Sequence, residues 1–412
     1  MLRLPSGIGN LSATAVDEQT GLFVAHPGNP DESVTRLALA GVLDAPAPSL
    51  DKACEAWSAE QMSKVPNLFT HAPSELSQDA FFCWLLTWSD IANAESDPAL
   101  HALGRAFVRE LFASVSPPLP ESYTIELLPQ WNGLDILAKI GPHHILAIED
   151  KVFASEHSNQ LERYKEILEK NFPHHARALI YLKTGDQSSF QSAQQSGWTV
   201  VTRTRLLELL CAQEHQSKNA IFVDFLHHIK RIEEDANRYR TAPVAEWSRT
   251  DGAYRGLFTR LQQELGGNWG VVNPPGGNVF IGFWWAFKPC KGHRVYLQLE
   301  ADQLVVKLSV DDLTQAKTLR EIWVHRLTGL PRLELGASFQ ERLAAILRMP
   351  ALQAQLVKPG KFRAGRTMTV ARVGDWRGSE AGFLDLDGTI DCLKQLTAQW
   401  NQITSSMVTQ TA

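Results

Sequence analysis

The sequence predicts an α/β or α+β fold with a short central sheet, followed by a second unit with antiparallel strands. Three observations support this. Apolar periodicity over residues 74–210 gives the order helix, helix, three strands, helix, strand, helix. A helix and several strands joined by tight turns follow residue 240. At 412 residues the chain is also too long for one ordinary core, so two domains are expected.

The elements of the first half each have a local signal. "SELSQDAFFCWLLTWSDI" opens with Ser74 and continues with apolar residues at helical spacing. "PALHALGRAFVRELFASV" is a second helix that stops at "SPPLP". Three strands follow, in "YTIELL", "LDILAKI" and "HILAIEDK". They precede the helix "NQLERYKEILEKN", the strand "RALIYLKT" and the strand-to-helix segment "WTVVTRTRLLELL". This order predicts a sheet with helices packed on it.

The second half reads as a separate α+β unit. The long helix at 220–239 is expected to bridge the two halves, and "YRGLFTRLQQEL" is the next helix. Antiparallel strands are predicted in "VFIGFWWAF", "HRVYLQLEA" and "QLVVKLSV", and a further strand in "RTMTVARV". Helices are predicted in "SFQERLAAILRM" and "GTIDCLKQLTAQWNQI". The resulting boundaries are an extension at 1–65, which includes a candidate helix at 51–64, a domain at 66–239 and a domain at 240–412.

Composition places the chain among soluble globular proteins. It is 44% hydrophobic and 21% charged, and its longest apolar runs are too short to span a bilayer, so no membrane partner is expected. The net charge of −5 gives no global signal for nucleic acid, and a polyanion would need a local basic patch. The start lacks the apolar core of a signal peptide, and the five cysteines are scattered, which predicts a reducing cytoplasm.

The strongest chemical signal is the end of the third strand, "ILAIEDK". Alternation along a strand places Glu149 and Lys151 on one face and Asp150 on the other. Asp135 opens the preceding strand, and the intervening "GPHH" is a plausible hairpin turn. If the two strands pair antiparallel, two carboxylates and an ammonium meet at one end of the sheet.

That set of groups suits phosphodiester hydrolysis. Two carboxylates can bind Mg²⁺, which prefers few protein ligands and keeps several waters. The cation polarises a phosphoryl oxygen and activates a bound water as the nucleophile, while a lysine offsets the negative charge of the transition state. The alternative interpretation is a solvated strand end with an ordinary Glu–Lys pair.

The same residues carry a family resemblance. Asp135 … Glu149-x-Lys151 resembles the core motif of the PD-(D/E)XK nuclease superfamily, with Leu134 where a proline is usual. Gln160-x-x-x-Tyr164 follows on the next helix and is similar to an element of RecB-type and lambda-exonuclease-like members. "NLFTHAPSELSQDAFFCWLL" resembles the opening helix of bacterial members of the superfamily. The resemblance covers roughly residues 66–235.

The resemblance implies a restriction-endonuclease-like fold, a central mixed sheet flanked by helices, with a Mg²⁺ (or Mn²⁺) site that cleaves nucleic acid. It implies metal ligation by Asp135, Glu149 and the main-chain carbonyl of Asp150. Lys151 would orient or activate the water. Gln160 and Tyr164 would brace Lys151 or touch a phosphate. Glu75 on the opening helix would reach a second metal or a metal-bound water, with Asp79 as second choice.

Several other motifs have both a functional and a simpler structural interpretation. "KPGKFRAGR" predicts a nucleic-acid contact or a solvated basic loop, and its candidate residues are Lys358, Lys361, Phe362, Arg363 and Arg366. The aromatic strand "FIGFWWAF" is either a recognition face or, as is more usual, a core strand. "DLDGTID" imitates a phosphatase signature, but too little chain follows it for that fold, and it predicts a helix cap. The histidine pairs lack ligand spacing, and His157 favours a surface role over substrate contact.

The sequence therefore predicts a Mg²⁺-dependent nuclease that hydrolyses DNA, with RNA left open as a substrate. Anti-phage defence and DNA repair are the expected settings. The alternative is a catalytically silent nucleic-acid-binding or assembly protein on a nuclease fold. The role of the C-terminal domain stays open between DNA binding, self-association and contact with a partner protein.

Overall fold

The structure of the protein is a computed structural model that describes residues 66–154, 159–212, 217–250, 252–274, 277–328, 365–377 and 382–409. All of them fall in one compact unit, residues 66–412. The predicted helices at 51–64 and in "SFQERLAAILRM", most of the "KPGKFRAGR" run, and His157 lie outside the described residues.

A mixed five-stranded sheet forms the first half of this unit. Its strands are β1 (Ile125–Trp131), β2 (Leu134–Ile140), β3 (His144–Lys151), β4 (Ala176–Lys183) and β5 (Thr199–Thr202). Its helices are α1 (Leu68–His71), α2 (Glu75–Trp88), α3 (Pro98–Leu111), α4 (Gln160–Asn171), α5 (Gln191–Gln195) and α6 (Arg203–Cys211). The strand order is sequential; β1, β2 and β3 pair antiparallel, whereas β3, β4 and β5 pair parallel. The predicted mixed sheet flanked by helices is confirmed.

Strand β3 lies at the centre of this sheet, and all eight of its residues are buried. Leu146 and Ile148 join one hydrophobic core, while Ile145 and Ala147 join a second core on the opposite face. Because helices cover both faces, the strand cannot end in solvent as an edge strand would. The charged residues at its end are therefore held inside the protein.

A second sheet, in which all strands pair antiparallel, forms the other half. It contains β6 (Asn268–Val272), β7 (Phe280–Cys290), β8 (His293–Glu300), β9 (Gln303–Val310) and β10 (Thr367–Gly374) in the order β10-β9-β8-β7-β6. The described helices here are α8 (Gly252–Leu265), α9 (Ala316–Thr328) and α10 (Leu386–Thr409). The predicted α+β unit with antiparallel strands is confirmed, although α9 was missed.

Helix α7 (Ala220–Thr241) connects the two halves, as predicted. Its first half places Phe222 and Phe225 in the core of the mixed sheet, and its end places Tyr239 in the core of the second sheet. Helix α8 packs directly on α7. A Cβ on Gly256 would lie 1.8 Å from the carbonyl oxygen of Ala236, so glycine is required for this close approach.

The aromatic strand "FIGFWWAF" and the segment "DLDGTID" both have structural roles. Phe283 and Trp285 on β7 are fully buried in the second core, which supports the interpretation of that strand as core. Asp385 caps α10, because its Oδ1 accepts a hydrogen bond from the amide of Gly388 at 3.1 Å. Among the described residues, no helix is long and apolar enough to cross a membrane.

Candidate active site

The hairpin between β2 and β3 brings the predicted charged residues together. Its register pairs Ile136 with Ile148, so Asp135 lies beside the end of β3. The amide of Asp150 donates a hydrogen bond of 2.9 Å to Oδ2 of Asp135. This contact ties the start of one strand to the charged end of the other.

Lys151 lies among three oxygen atoms of this cluster. Its Nζ is 2.6 Å from Oε1 of Glu149, 2.9 Å from the carbonyl oxygen of Asp150 and 3.4 Å from Oδ2 of Asp135. Glu149 is fully buried and Lys151 is 8% exposed. The interpretation of this segment as a solvated strand end is therefore wrong.

Helix α4 contacts the cluster through the two polar residues of its first turns. The side-chain amide of Gln160 donates to Oε1 of Glu149 at 2.8 Å and to the hydroxyl of Tyr164 at 2.9 Å. The Tyr164 hydroxyl donates to the carbonyl oxygen of Gly133, which has φ of +85°. Gln160 therefore holds Glu149, the ion-pair partner of Lys151, rather than Lys151 itself.

Asp150 points to the opposite side of β3, as strand alternation predicts, and is anchored there. Its Oδ1 accepts a hydrogen bond of 2.5 Å from the side-chain amide of Gln78 on α2. The hydroxyl of Thr184 donates to Oε1 of Gln78 at 3.0 Å. Gln78 and Thr184 were missed from the sequence, although Gln78 and Asp79 are polar residues beside the apolar positions of α2.

The two acids of α2 lie at different places. Oε1 of Glu75 accepts a hydrogen bond of 2.9 Å from the amide of Val152, just past the end of β3. Asp79 is buried, and the side-chain amide of Gln130 lies 3.3 Å from its Oδ2 and 3.4 Å from Oδ1 of Asp135. Asp79, the second choice from the sequence, is thus the acid joined to Asp135 through one shared donor.

Electrostatics in this cluster favour an added positive charge. Burial, together with the charge of Asp135, raises the pKa of Glu149 from 4.5 to about 7. The same two causes raise the pKa of Asp79 from 3.8 to about 7. Burial and the charge of Asp79 raise the pKa of Asp150 well above its ordinary value. Only two of the four carboxyl groups, those of Asp135 and Glu149, contact the single ammonium of Lys151, so ionising all four costs free energy.

Lys151 responds to that excess of negative charge. Burial opposes its charged form, but the hydrogen bond and the charge of Glu149 outweigh burial and raise the pKa of the ammonium. The side chain is therefore a fixed positive charge beside Glu149 and Asp135. It neutralises one carboxylate and leaves the rest of the cluster uncompensated.

The oxygen atoms of the cluster fit a hard divalent cation. Oε2 of Glu149 is buried and accepts no hydrogen bond from any described residue. Among the residues that the structure describes, no group of three or more His, Cys, Asp or Glu side chains is arranged to hold a metal by itself. Two carboxylates and the Asp150 carbonyl, with water in the remaining positions, match the few protein ligands that Mg²⁺ takes.

Comparison with known families agrees with this geometry. The family model described as the PD-(D/E)XK nuclease superfamily matches residues 74–238. The resemblance of this segment to the PD-(D/E)XK nuclease superfamily is thus confirmed. No curated protein and no solved structure gives a significant match to the chain.

The match to the PD-(D/E)XK superfamily supports a nuclease-type hydrolase that binds nucleic acid. Nucleases of this superfamily usually use divalent metals. The match begins at the N-cap of α2 and ends within α7, so it contains every element that contributes to the cluster. The second sheet lies outside the match.

The candidate nucleic-acid contact in the second half is described in part. Lys358, Lys361, Phe362 and Arg363 lie outside the described residues. Arg366 is exposed just before β10, and its carbonyl oxygen accepts a hydrogen bond of 2.9 Å from Val310. A role for this run in binding nucleic acid remains a prediction.

Proposed function

We propose that the protein is a Mg²⁺-dependent nuclease that hydrolyses phosphodiester bonds of DNA. The observation that carries this proposal is the cluster at the end of β3. There Asp135 and Glu149 lie within 3.4 Å of the Lys151 ammonium, and a buried oxygen of Glu149 receives no hydrogen bond from a described residue. A buried carboxylate oxygen without a donor costs free energy that a bound cation would recover.

In the proposed site the metal ligands are the carboxylates of Asp135 and Glu149 and the carbonyl oxygen of Asp150. Mg²⁺, or Mn²⁺ in its place, supplies polarisation of a phosphoryl oxygen and a more acidic water when bound. Glu75 is assigned to a second cation or its water, and its hydrogen bond to Val152 keeps it at the end of β3.

Other residues of the chain hold this arrangement. Gln160 fixes the orientation of the Glu149 carboxylate by bonding to Oε1, which leaves Oε2 for a ligand. Gln78 anchors the Asp150 side chain. The main-chain amide of Asp150 therefore stays bonded to Asp135, and its main-chain carbonyl stays beside Lys151. A protonated Lys151 orients the attacking water and stabilises negative charge that develops on the phosphoryl oxygens.

In this proposal the chain has three parts: an extension at 1–65, a nuclease domain at 66–239 and an α+β domain at 240–412. The nuclease domain carries the chemistry. Separate hydrophobic cores under the two sheets support the second boundary. DNA as the substrate, and anti-phage defence or repair as the setting, follow from analogy with the superfamily. The four described cysteines are free thiols, which fits the proposed cytoplasmic location.

The test compares the wild type with Lys151→Ala on linear, circular and single-stranded DNA and on RNA during a Mg²⁺ titration. We expect metal-dependent cleavage of DNA by the wild type and a loss of at least about a hundredfold in the variant, because the fixed positive charge is gone. Lys170→Ala, at an exposed lysine on α4, is the matched control and should cleave normally.

Cleavage retained by a clean preparation of Lys151→Ala would refute the assignment of Lys151. Binding of DNA by the wild type without cleavage at any Mg²⁺ concentration would instead support the silent nucleic-acid-binding alternative. Thermal unfolding of both variants shows whether a loss of activity reflects a loss of fold.

A further inference from the structure

A cavity with a largely apolar wall and two arginines lies beside the end of β3, where the two halves of the described unit meet. It has a volume of about 230 Å³ and is lined by residues of α1, α7 and α8 and by Phe153. Two of its lining residues are arginines, Arg231 from α7 and Arg255 from α8. We call this cavity, defined by Arg231, Arg255, His228, Thr70 and Phe153, the arginine pocket.

Arg231 has a donor that no described residue uses. Its Nη1 donates to the hydroxyl of Thr70 at 2.8 Å, whereas its Nη2 is buried and meets no acceptor from the described residues. A buried guanidinium nitrogen without an acceptor is costly, and such groups are usually paired. Burial and the charge of Arg231 lower the pKa of the adjacent His228 to about 4, so this histidine stays neutral.

Arg255 is also uncompensated. Its guanidinium carbon lies 5.5 Å from the ring centroid of Phe153, and no ion pair joins it to a carboxylate of the described residues. Burial lowers the pKa of Arg255, and the more distant charges of Asp186 and Asp235 offset this only in part. The guanidinium is thus partly desolvated without a bonded partner anion.

The acids that line the pocket have other cations as partners. Oδ1 of Asp186 is 2.8 Å from Nη2 of Arg203, and Oδ1 of Asp235 is 3.6 Å from Nη1 of Arg238. Arg203 also bonds to Glu233, so its charge is shared between two acids, and the lining holds two aspartates beside its two arginines. What suits the pocket to an anion is the buried Nη2 donor of Arg231, which meets no acceptor among the described residues.

The arginine pocket and the candidate active site share two chain segments. Phe153 stands two residues after Lys151, and the lining residue Pro73 stands two residues before Glu75. The hydrogen bond from the amide of Val152 to Glu75 joins these two segments. These shared segments place the arginine pocket next to the end of β3.

We infer that the arginine pocket binds a phosphate group of the DNA strand next to the phosphate that reacts. The identity of the strand rests on the proposed function. The volume is below the range of pockets for drug-sized ligands, which fits a phosphate rather than a whole nucleotide. Paired guanidinium forks bind phosphate with charge-assisted hydrogen bonds, and the exposed ring of Phe153 offers a surface on which a base can stack.

This assignment gives the C-terminal half a part in substrate binding. Arg255 belongs to α8, outside the segment that matches the nuclease superfamily. The close packing of α8 on α7 at Gly256 and a hydrogen bond of 2.9 Å from Gln262 to the carbonyl of Ser188 hold Arg255 in place. The superfamily segment alone would therefore carry only half of the pocket.

The test measures affinity for a fluorescent DNA oligonucleotide, single-stranded and duplex, with the full chain in EDTA so that no cleavage occurs. The variants are Arg231→Gln and Arg255→Gln. Arg260→Gln is the control, since Arg260 lies on the same helix but pairs with Glu264 at 2.6 Å. We expect each pocket variant to bind about tenfold more weakly and to lower the slope of log affinity against log salt by about one. The control should change by less than about twofold.

A structural role for the two arginines gives a different result. If they only hold the halves together, their replacement lowers the melting temperature while the affinity of the folded protein stays unchanged, and this outcome overturns the inference. If the two arginines form a phosphate-binding site that is empty in the free protein, replacing either one leaves the melting temperature unchanged or raises it. Arg231→Lys and Arg255→Lys, which keep the stem and the charge, replace any glutamine variant that does not fold.

Cleavage with Mg²⁺, measured in parallel, separates this inference from the proposed function. If the wild type binds DNA through the two arginines but never cleaves it, the nuclease proposal is refuted and the phosphate-binding role of the arginine pocket stands. If the wild type cleaves DNA and neither arginine variant changes affinity or KM, the phosphate-binding role of the pocket is refuted and the nuclease proposal stands.

Discussion

Two buried ion clusters lie within the mixed-sheet half of the protein, and they differ in how their charges are satisfied. In the first, Arg203 bonds to Asp186, to Glu233 and to the carbonyl oxygen of Thr184, each at 2.7 or 2.8 Å. In the second, Lys151 lies within 3.4 Å of both Glu149 and Asp135.

Three buried carboxyl oxygens of the second cluster, on Asp79, Glu149 and Asp150, accept no hydrogen bond from a described residue. Burial, with the charge of Asp79, raises the pKa of Asp150, so one proton shared between these two carboxyl groups would satisfy both. The Arg203 cluster is complete in its hydrogen bonds, because none of its side-chain atoms is buried without a partner, whereas the Lys151 cluster needs protons or a cation. Clusters of the first kind hold a fold together, and strongly perturbed clusters of the second kind concentrate at functional sites.

The largest expected effect on stability comes from breaking the complete cluster. Arg203→Met removes the cation between two acids and leaves a carbonyl without a donor, so we expect the free energy of unfolding to fall by about 2–4 kcal/mol. Urea unfolding followed by circular dichroism measures this change. Arg205→Met is the control, because Arg205 is on the same helix and pairs with Glu110 and Glu208 at the surface.

Arg205→Met should change the unfolding midpoint little, because exposed pairs contribute little. Equal losses for the two arginine variants would contradict the distinction between a buried complete cluster and a surface pair.

Removing a charge from the Lys151 cluster should raise the free energy of unfolding, by an amount that depends on pH. The folded-state pKa of Glu149 is raised from 4.5 to about 7, so its stabilising contribution is present below pH 4.5 and is lost as pH rises through 7. In EDTA, Glu149→Gln should therefore unfold at a higher urea concentration than the wild type at pH 8 and at a similar one at pH 4.5. The expected gain at pH 8 is on the order of 1–3 kcal/mol, since part of the cost of Glu149 is already offset by Lys151.

Glu126→Gln provides the matched control. Glu126 pairs with Lys139 at 3.1 Å at an exposed site, so this variant should show no such change with pH. A wild type that is more stable than Glu149→Gln at pH 8 in EDTA would show that the carboxylate is satisfied within the chain.

A smaller effect is expected from the residue that positions Glu149. Gln160→Ala removes the hydrogen bond to Oε1 and lets the carboxylate rotate, so we expect kcat to fall about tenfold with a smaller change in KM. Steady-state cleavage of a DNA oligonucleotide measures both constants. Gln194→Ala, at an exposed position, should behave as wild type. Unchanged kcat in Gln160→Ala would mean that Glu149 is held by Lys151 alone.

Local patterns in the sequence predicted the centre of the site well. The short hairpin after β2 placed Asp135 beside the end of β3, and alternation separated Asp150 from Glu149 and Lys151. The four-residue spacing on α4 placed Gln160 and Tyr164 together, and they do bond to each other. These contacts depend on residues close in sequence or on one strand pair.

The features that were missed depend on contacts between distant segments. Gln78 reaches Asp150 across 72 residues and Thr184 across 106, and Arg231 and Arg255 line one pocket only because α8 packs on α7. No spacing rule connects such residues in a single sequence. Helix α9 was missed although Leu319, Trp323 and Leu327 recur at helical spacing, because Ile322 and Val324 are also apolar and blur that period.

Diffraction from crystals soaked in Mn²⁺ tests the central claim most directly, because Mn²⁺ gives an anomalous signal and substitutes for Mg²⁺. The account predicts a peak between the carboxylates of Asp135 and Glu149, within roughly 2.0–2.3 Å of their oxygens and near the carbonyl of Asp150. It also predicts that the Nζ of Lys151 moves away from Glu149 to make room. A saturating soak that leaves no peak there, with Lys151 still bonded to both carboxylates, would contradict it.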